Sequence, residues 1–174
     1  MFEKILVCLD GSRLAEQALF KLVEPCGELK SELVLLQVIS SSITIPPPES
    51  IHLPTYGQKG EGKAVPVADL GANTVTLEPT VGSQLEEMGR EQIDAQVYLE
   101  RLAEPLRERG LRVKTTSRPG DPGEEILRYA REISATLIAL TTHGLGGIKR
   151  GAPGRVAQYI LKEADLPVLL IKPK

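Results

Sequence analysis

Residues 137–155 read LIALTTHGLGGIKRGAPGR, and how this stretch is read decides the fold of the chain. Leu137, Ile138, Ala139 and Leu140 form a continuous apolar run, as in a strand buried on both faces of a parallel sheet. The run stops at Thr141-Thr142-His143, and five glycines follow within the next eleven residues. Beyond them Val156, Ala157, Ile160, Leu161 and Ala164 recur at helical spacing. Strand, glycine-rich loop and helix in that order set backbone N–H groups and a helix N-terminus at the carboxyl edge of a sheet, which suits an anion. Lys149, Arg150 and Arg155 add positive charge, and no Asp or Glu stands between Leu137 and Tyr159. The stretch is therefore a candidate phosphate-binding edge. The plainer alternative is a tight connection in which the glycines only ease the path and the basic side chains are solvated. Two named phosphate motifs are absent. After Gly146 and Gly151 a P-loop requires Lys and Ser/Thr where Ala152 and Pro153 stand, and G-x-G-x-x-G requires glycine at Lys149.

Outward from this stretch the same rhythm repeats. Residues 4–9, KILVCL, predict the first strand, and Asp10-Gly11-Ser12 ends it and starts a helix over about 13–25. Leu14, Ala18 and Leu22, with Ala15 or Leu19, form the expected inward stripe of that helix. Residues 32–40, built around LVLLQVI, predict a second buried strand and hence a right-handed parallel βαβ unit. Residues 41–83 then carry Pro46-Pro47-Pro48 and many further prolines and glycines without lasting periodicity, and read as an insertion. It could fold over the carboxyl edge, pack on a partner, or be simply tolerated.

A long helix is predicted over 84–109, with Met88, Ala95, Leu99, Leu102 and Leu106 inward, Pro105 loosening its last turn and Gly110 stopping it. The more polar 111–117 fits an edge strand, and Asp121-Pro122-Gly123-Glu124 announces a helix to about Ile133. Residues 167–172, PVLLIK, supply a fifth strand. The expected fold is α/β: one domain over 1–174, an open five-stranded parallel sheet between helices, with the ligand crevice where strands one and four part. Asp10, Thr141 and Thr142 fall at that edge.

Composition narrows the function classes. A net charge of −2, 3% aromatic residues and no Trp argue against a dedicated nucleic-acid binder. No apolar run approaches 18 residues, so no membrane span is expected, and the chain enters a strand without a signal-peptide pattern. Cys8 and Cys26 offer neither a disulfide framework nor metal spacing, which fits a cytoplasmic setting. Cys8 reads as a small core residue, His52 as exposed, and His143 as a residue that bonds backbone or packs beside the loop, with no sequence-adjacent carboxylate to orient it as a base.

ILVCLDGSRLAEQAL, LVLLQV, GDPGEEILRYARE and the closing THGLGGIKRGAPGRVAQYILKEADLPVLLIK together resemble the universal stress protein family over nearly the whole chain except the insertion. The resemblance implies a Rossmann-like sheet in the order 3-2-1-4-5 and a homodimer paired along the last strand, 167–172, through Val168 and Leu170 or their neighbours. It also implies ATP or a related adenine nucleotide in some members, with Mg2+ only alongside nucleotide. The family's nucleotide motif is glycine, two residues, glycine, nine residues, glycine, then Ser or Thr. Here its second and third glycines fall on Gly144 and Gly154, while Thr141 replaces the first and Arg155 replaces the hydroxyl residue. The implied pocket is Asp10 at the ribose side, Val38 beside adenine, and Thr141, Thr142, Gly144, Gly154 and Arg155 around the phosphates, with Val156 a further cofactor-binding residue. The two departures point to weakened or altered nucleotide binding, and Pro153 is expected to remove one donor from the helix start.

The resulting expectation is a non-catalytic stress-response protein acting through ligand- or partner-dependent interactions, its protein partners unknown. Two alternatives stand beside it: a weak ATP hydrolase using Asp10 and the 141–155 loop around Mg2+, and a partner-binding module with a vestigial pocket. The hydrolase would need a metal-holding acid beside the phosphates, and that loop contains none.

Overall fold

Each short apolar run becomes a strand, and the five strands pair in parallel in the order β3-β2-β1-β4-β5. The computed structural model describes residues 2–29, 31–40, 81–142 and 153–172. The elements are β1 (Lys4–Leu9), α1 (Arg13–Leu29), β2 (Glu32–Ile39), α2 (Val81–Glu108), β3 (Arg112–Pro119), α3 (Pro122–Glu132), β4 (Leu137–Thr141), α4 (Arg155–Glu163) and β5 (Val168–Ile171). By its contacts the chain divides into Met1–Ser41 with Glu87–Lys174, and Ser42–Glu86. The sheet belongs wholly to the first unit, and most of the predicted 41–83 insertion lies outside the described residues.

β1 is the central strand of the five: Val7 stands level with Leu35 of β2 and with Ala139 of β4. Alternation along the strands then sorts side chains between two cores. Ile5, Val7, Leu33 and Leu35 pack with Ala15, Leu19 and Leu22 of α1 and Leu99, Leu102, Ala103 and Leu106 of α2. On the opposite face Leu6, Val34, Leu36, Ile138 and Leu140 pack with Ile126, Leu127 and Ala130 of α3 and Ala157 and Ile160 of α4. So α1 and α2 cover one face, and α3 and α4 the other.

Several expectations need correction. The inward stripe of α1 includes both Ala15 and Leu19, while Leu14 is only half-buried. This helix runs on to Leu29 rather than stopping near Pro25. α2 begins at Val81, three residues before the predicted start, while Pro105 lies inside it as expected. The missing Pro105 N–H leaves the carbonyl of Arg101, an exposed residue, without its helical donor, and burial of Leu102, Ala103 and Leu106 holds the turn. The stop at Gly110 is as expected: its φ is +83°, and the N–H groups of Gly110 and Leu111 donate to Arg107 and Leu106 carbonyls at 2.8 and 3.2 Å. Asp121 caps α3 by accepting from the N–H groups of Gly123 and Glu124 at 2.9 and 3.2 Å.

Gly123 also lets α3 approach α4. A Cβ there would stand 2.6 Å from the Tyr159 ring, so only glycine permits this contact. β5 separates Val168 and Leu170 from their neighbour Leu169. Val168 and Leu170 turn inward against the α3/α4 core, and the exposed large apolar side chain of the strand is Leu169.

Candidate functional site

Because β1 lies between β2 and β4, the chain leaves it toward one side and later returns on the other, opening a crevice at the carboxyl ends. A cleft of about 770 Å3 occupies this position. It spans the sheet edge and has two sides of different chemistry. The α3/α4 side is apolar, walled by Cys8, Leu36, Val38, Ile126, Leu140, Val156 and Ala157. The α1/α2 side carries Asp10, Gln37, Asp94 and Tyr98 beside Leu9 and Ala95. Gln37 faces this way because it alternates with Leu36 and Val38 along β2.

The turn after β1 is built on its own hydrogen bonds. Gly11 takes a φ of +81°, a left-handed conformation natural to glycine. Asp10 Oδ1 then accepts from the Ser12 N–H at 3.0 Å and from the Ser12 hydroxyl at 2.6 Å, and Ser12 Oγ accepts from the Ala15 N–H at 3.2 Å. Ser12 is therefore the cap of α1, and Asp10 orients Ser12 rather than capping the helix itself. The arrangement fixes the Asp10 carboxylate at the rim of the cleft.

At the end of β4, the Thr142 N–H donates to Ile171 O at 3.1 Å, and Thr142 O accepts from the Gly154 N–H at 2.8 Å. This pins the start of α4 beside the strand end. Gly154 is the N-cap in extended conformation, with no side-chain capping bond, and Arg155 is the first helical residue. The first N–H groups of α4 thus have no acceptor within the helix, and point outward with the positive end of its dipole. Pro153 precedes the cap, so it removes no donor from the helix start; its carbonyl instead accepts from Gln158 Nε2 at 2.6 Å. That overturns the expectation that Pro153 weakens the cradle.

Of the residues singled out in the sequence, Asp10, Val38, Thr141, Thr142, Gly154, Arg155 and Val156 all line the one cleft. Gly144 lies outside the described residues, as do His52, His143, Lys149 and Arg150. Cys8 faces the apolar side, and burial pushes its thiol well above the usual range, away from thiolate chemistry at neutral pH. Sequence reasoning missed Gln37, Glu91, Asp94 and Tyr98. A signal for Tyr98 existed, since it stands three residues after Ala95 on the inward stripe of α2. Burial first, then the Glu16 and Asp10 carboxylates, raise the pKa of the Tyr98 hydroxyl, so it is a neutral phenol at any physiological pH. Among the described residues, no three His, Cys, Asp or Glu side chains cluster as metal ligands would. No described helix is long and apolar enough to cross a membrane.

A model of the universal stress protein family matches residues 1–172. Among curated relatives the chain is 28% identical over 174 residues to universal stress protein MJ0577 of Methanocaldococcus jannaschii, covering 100% of this chain and 97% of that one. It is 26% identical over 172 residues to universal stress protein YxiE of Bacillus subtilis, covering 99% and 100%. Among solved structures, universal stress protein UspA from Lactobacillus plantarum shares the fold with a TM-score of 0.70 at 21% identity, over 98% of this chain and 97% of that one. A universal stress protein in complex with cAMP matches at 0.59 and 13% identity over 98% and 97% of the two chains. A family protein from Arabidopsis thaliana with AMP bound matches at 0.57 and 17% identity over 99% and 92%. The family match spans nearly the full length, and the sheet order agrees with the one the family resemblance implied. The chain belongs to the universal stress protein family.

Proposed function

We propose that this protein binds an adenine nucleotide in the cleft at the ends of β1 and β4, and acts through ligand-dependent interactions rather than catalysis. One observation carries the reading. The cleft joins an apolar wall suited to a flat base with the uncapped N-terminus of α4, whose first residue is Arg155. Relatives of the same fold that hold cAMP and AMP support it. Val38 and Val156 flank the base and Asp10 faces the ribose. Thr141, Thr142, the Gly154 backbone and Arg155 receive phosphate, with Gly144 a further contact implied by the motif. Arg155 replaces the family's small hydroxyl with a planar cation able to pair two phosphate oxygens. Mg2+ would accompany only a polyphosphate.

The same reading takes the chain as one domain with an insertion at about 41–83, in the cytoplasm, paired as a homodimer along 167–172. β5 supports the pairing, being an edge strand with Leu169 exposed. The described main chain and Leu169 would form that contact, with Val168 and Leu170 serving the core. The test is calorimetric titration of ligand-stripped protein with ATP, ADP and AMP, with and without Mg2+, alongside a phosphate-release assay. Micromolar affinity without phosphate release is expected, and Arg155→Ser should weaken binding by about tenfold. Tighter binding by Arg155→Ser would instead mark a partner-binding module with a vestigial pocket, and steady phosphate release a hydrolase.

A further inference from the structure

We infer that Gln37 and Tyr98 form a second subsite of the cleft, on its α1/α2 side, that reads the sugar hydroxyls of the bound ligand. Two buried atoms carry this. Gln37 Oε1 and the Tyr98 hydroxyl both lack a hydrogen-bond partner, and both residues line the cleft. A buried polar group without a partner is destabilising, and two on one wall of one cavity call for a common occupant. The Glu16 carboxylate lies near enough to raise the Tyr98 pKa.

The wall is also held in place before any ligand arrives. The Arg101 guanidinium sits 5.7 Å from the Tyr98 ring centre and 3.7 Å from a Glu16 carboxylate oxygen, bracing the ring against α1. Gln37 lies in the β2 ladder, level with Leu9 of β1 and Ser117 of β3.

Charge decides which ligand group enters. Asp10 and Asp94 line this side of the cleft, with Glu16 behind Tyr98, so an anionic group is repelled there. Phosphate belongs at the other end, toward Arg155 and α4. An amide oxygen accepts, and a phenol both donates and accepts. Together they match a neutral group with two neighbouring hydroxyls, one donating to Gln37 Oε1 and the other paired with Tyr98. The assignment of the phosphate end rests on the nucleotide reading, whereas the two unpartnered atoms do not.

The experiment compares the full-length protein with Gln37→Met and Tyr98→Phe, close in shape but lacking the polar atoms. Free of ligand, each variant should melt at or slightly above the parent temperature, because an unpartnered buried group has been removed. A drop of several degrees in both would show that these atoms serve the fold, and would overturn the inference. The three proteins are then titrated with AMP, 2′-deoxy-AMP, 3′-deoxy-AMP and ribose 5-phosphate. The parent should prefer AMP over each deoxy form by about fivefold to tenfold, and each variant should lose its preference over the one deoxy form that lacks the hydroxyl its residue reads, while keeping its affinity for that form. AMP binding that is equal in parent and variants would sink the subsite and leave the nucleotide reading standing. Binding of ribose 5-phosphate that weakens in both variants, with AMP silent, would do the reverse. Silence toward all four ligands would remove both.

Discussion

The two ends of the sheet are finished in opposite ways. At the amino end the ends of strands and connections are stitched together. The Lys4 N–H donates to Thr136 Oγ1 at 3.1 Å, while the Thr136 N–H and hydroxyl return bonds to Lys4 O at 2.8 and 2.9 Å. Lys4 Nζ reaches the Ile133 carbonyl at 2.7 Å, and the Ser31 hydroxyl donates to Phe2 O at 2.5 Å. At the carboxyl end Gln37 Oε1 and the Tyr98 hydroxyl are left unpartnered, and α4 starts without a side-chain cap. At the amino end side chains bond across strands, whereas the wall of the carboxyl-end cleft keeps two buried polar atoms without a partner. The cross-strand side-chain bonds lie at the amino end, and the cleft opens at the carboxyl end. A fold can leave one edge unsatisfied because the rest is locally consistent.

This contrast can be broken or sharpened by substitution. The largest effect is expected from Leu33→Ala, next to the amino edge and fully buried between Ile5 and Val113. It should lower unfolding free energy by about 2–5 kcal/mol in urea titration, while nucleotide affinity of the folded fraction stays unchanged. Thr136→Val keeps the shape and removes the hydroxyl that bonds Lys4 in both directions. It should cost about 1–2 kcal/mol, again without altering ligand affinity. If either variant weakened binding in proportion to its loss of stability, the two ends would not be separable.

Smaller effects sharpen the comparison. The Lys114 ammonium, 2.7 Å from the Glu32 carboxylate at the amino end, holds that carboxyl below its ordinary value of 4.5, with Lys4 and Arg112 adding to it against the effect of burial. A lowered folded-state pKa means the contribution is complete above the unfolded value and is lost as pH falls through the folded one. Urea midpoints should therefore decline below about pH 4.5, and Glu32→Gln should flatten part of that decline, by under about 1 kcal/mol. The smallest change lies at the other end. Gly154 is in extended backbone that any residue adopts, and a Cβ there would stand 3.7 Å from Thr142 O, an ordinary contact. Gly154→Ser adds the absent cap and should raise stability by a few tenths of a kcal/mol, read as a higher melting temperature. The amino end loses stability on change, and the carboxyl end has stability to gain.

Much of this was legible in the chain itself. Strands β1, β2, β4 and β5 are apolar runs bounded by turn residues, and Asp121-Pro122 and Gly110 mark a start and a stop through purely local bonding. Seven of the eight site residues read from the sequence reach one cleft, because strand ends are where a parallel sheet exposes its loops. The helix limit at Pro25 was misread because packing along a long helix outweighs the breaker's local penalty. Pro153 was misread because its effect depends on which residue becomes the cap.

Hydrophobic periodicity and turn chemistry alone thus determined the element types, the alternation of strand and helix, and the edge at which the cleft opens. These depend on neighbours within a few residues. Only the tertiary structure decided that Gln37 of β2 and Tyr98 of α2, sixty-one positions apart, share one wall with Asp10, and that Val168 and Leu170 turn inward while Leu169 stays exposed. The physical reason is that partnership of a polar atom, and the direction of a strand's faces, are set by what packs across the sheet, and no local pattern encodes it.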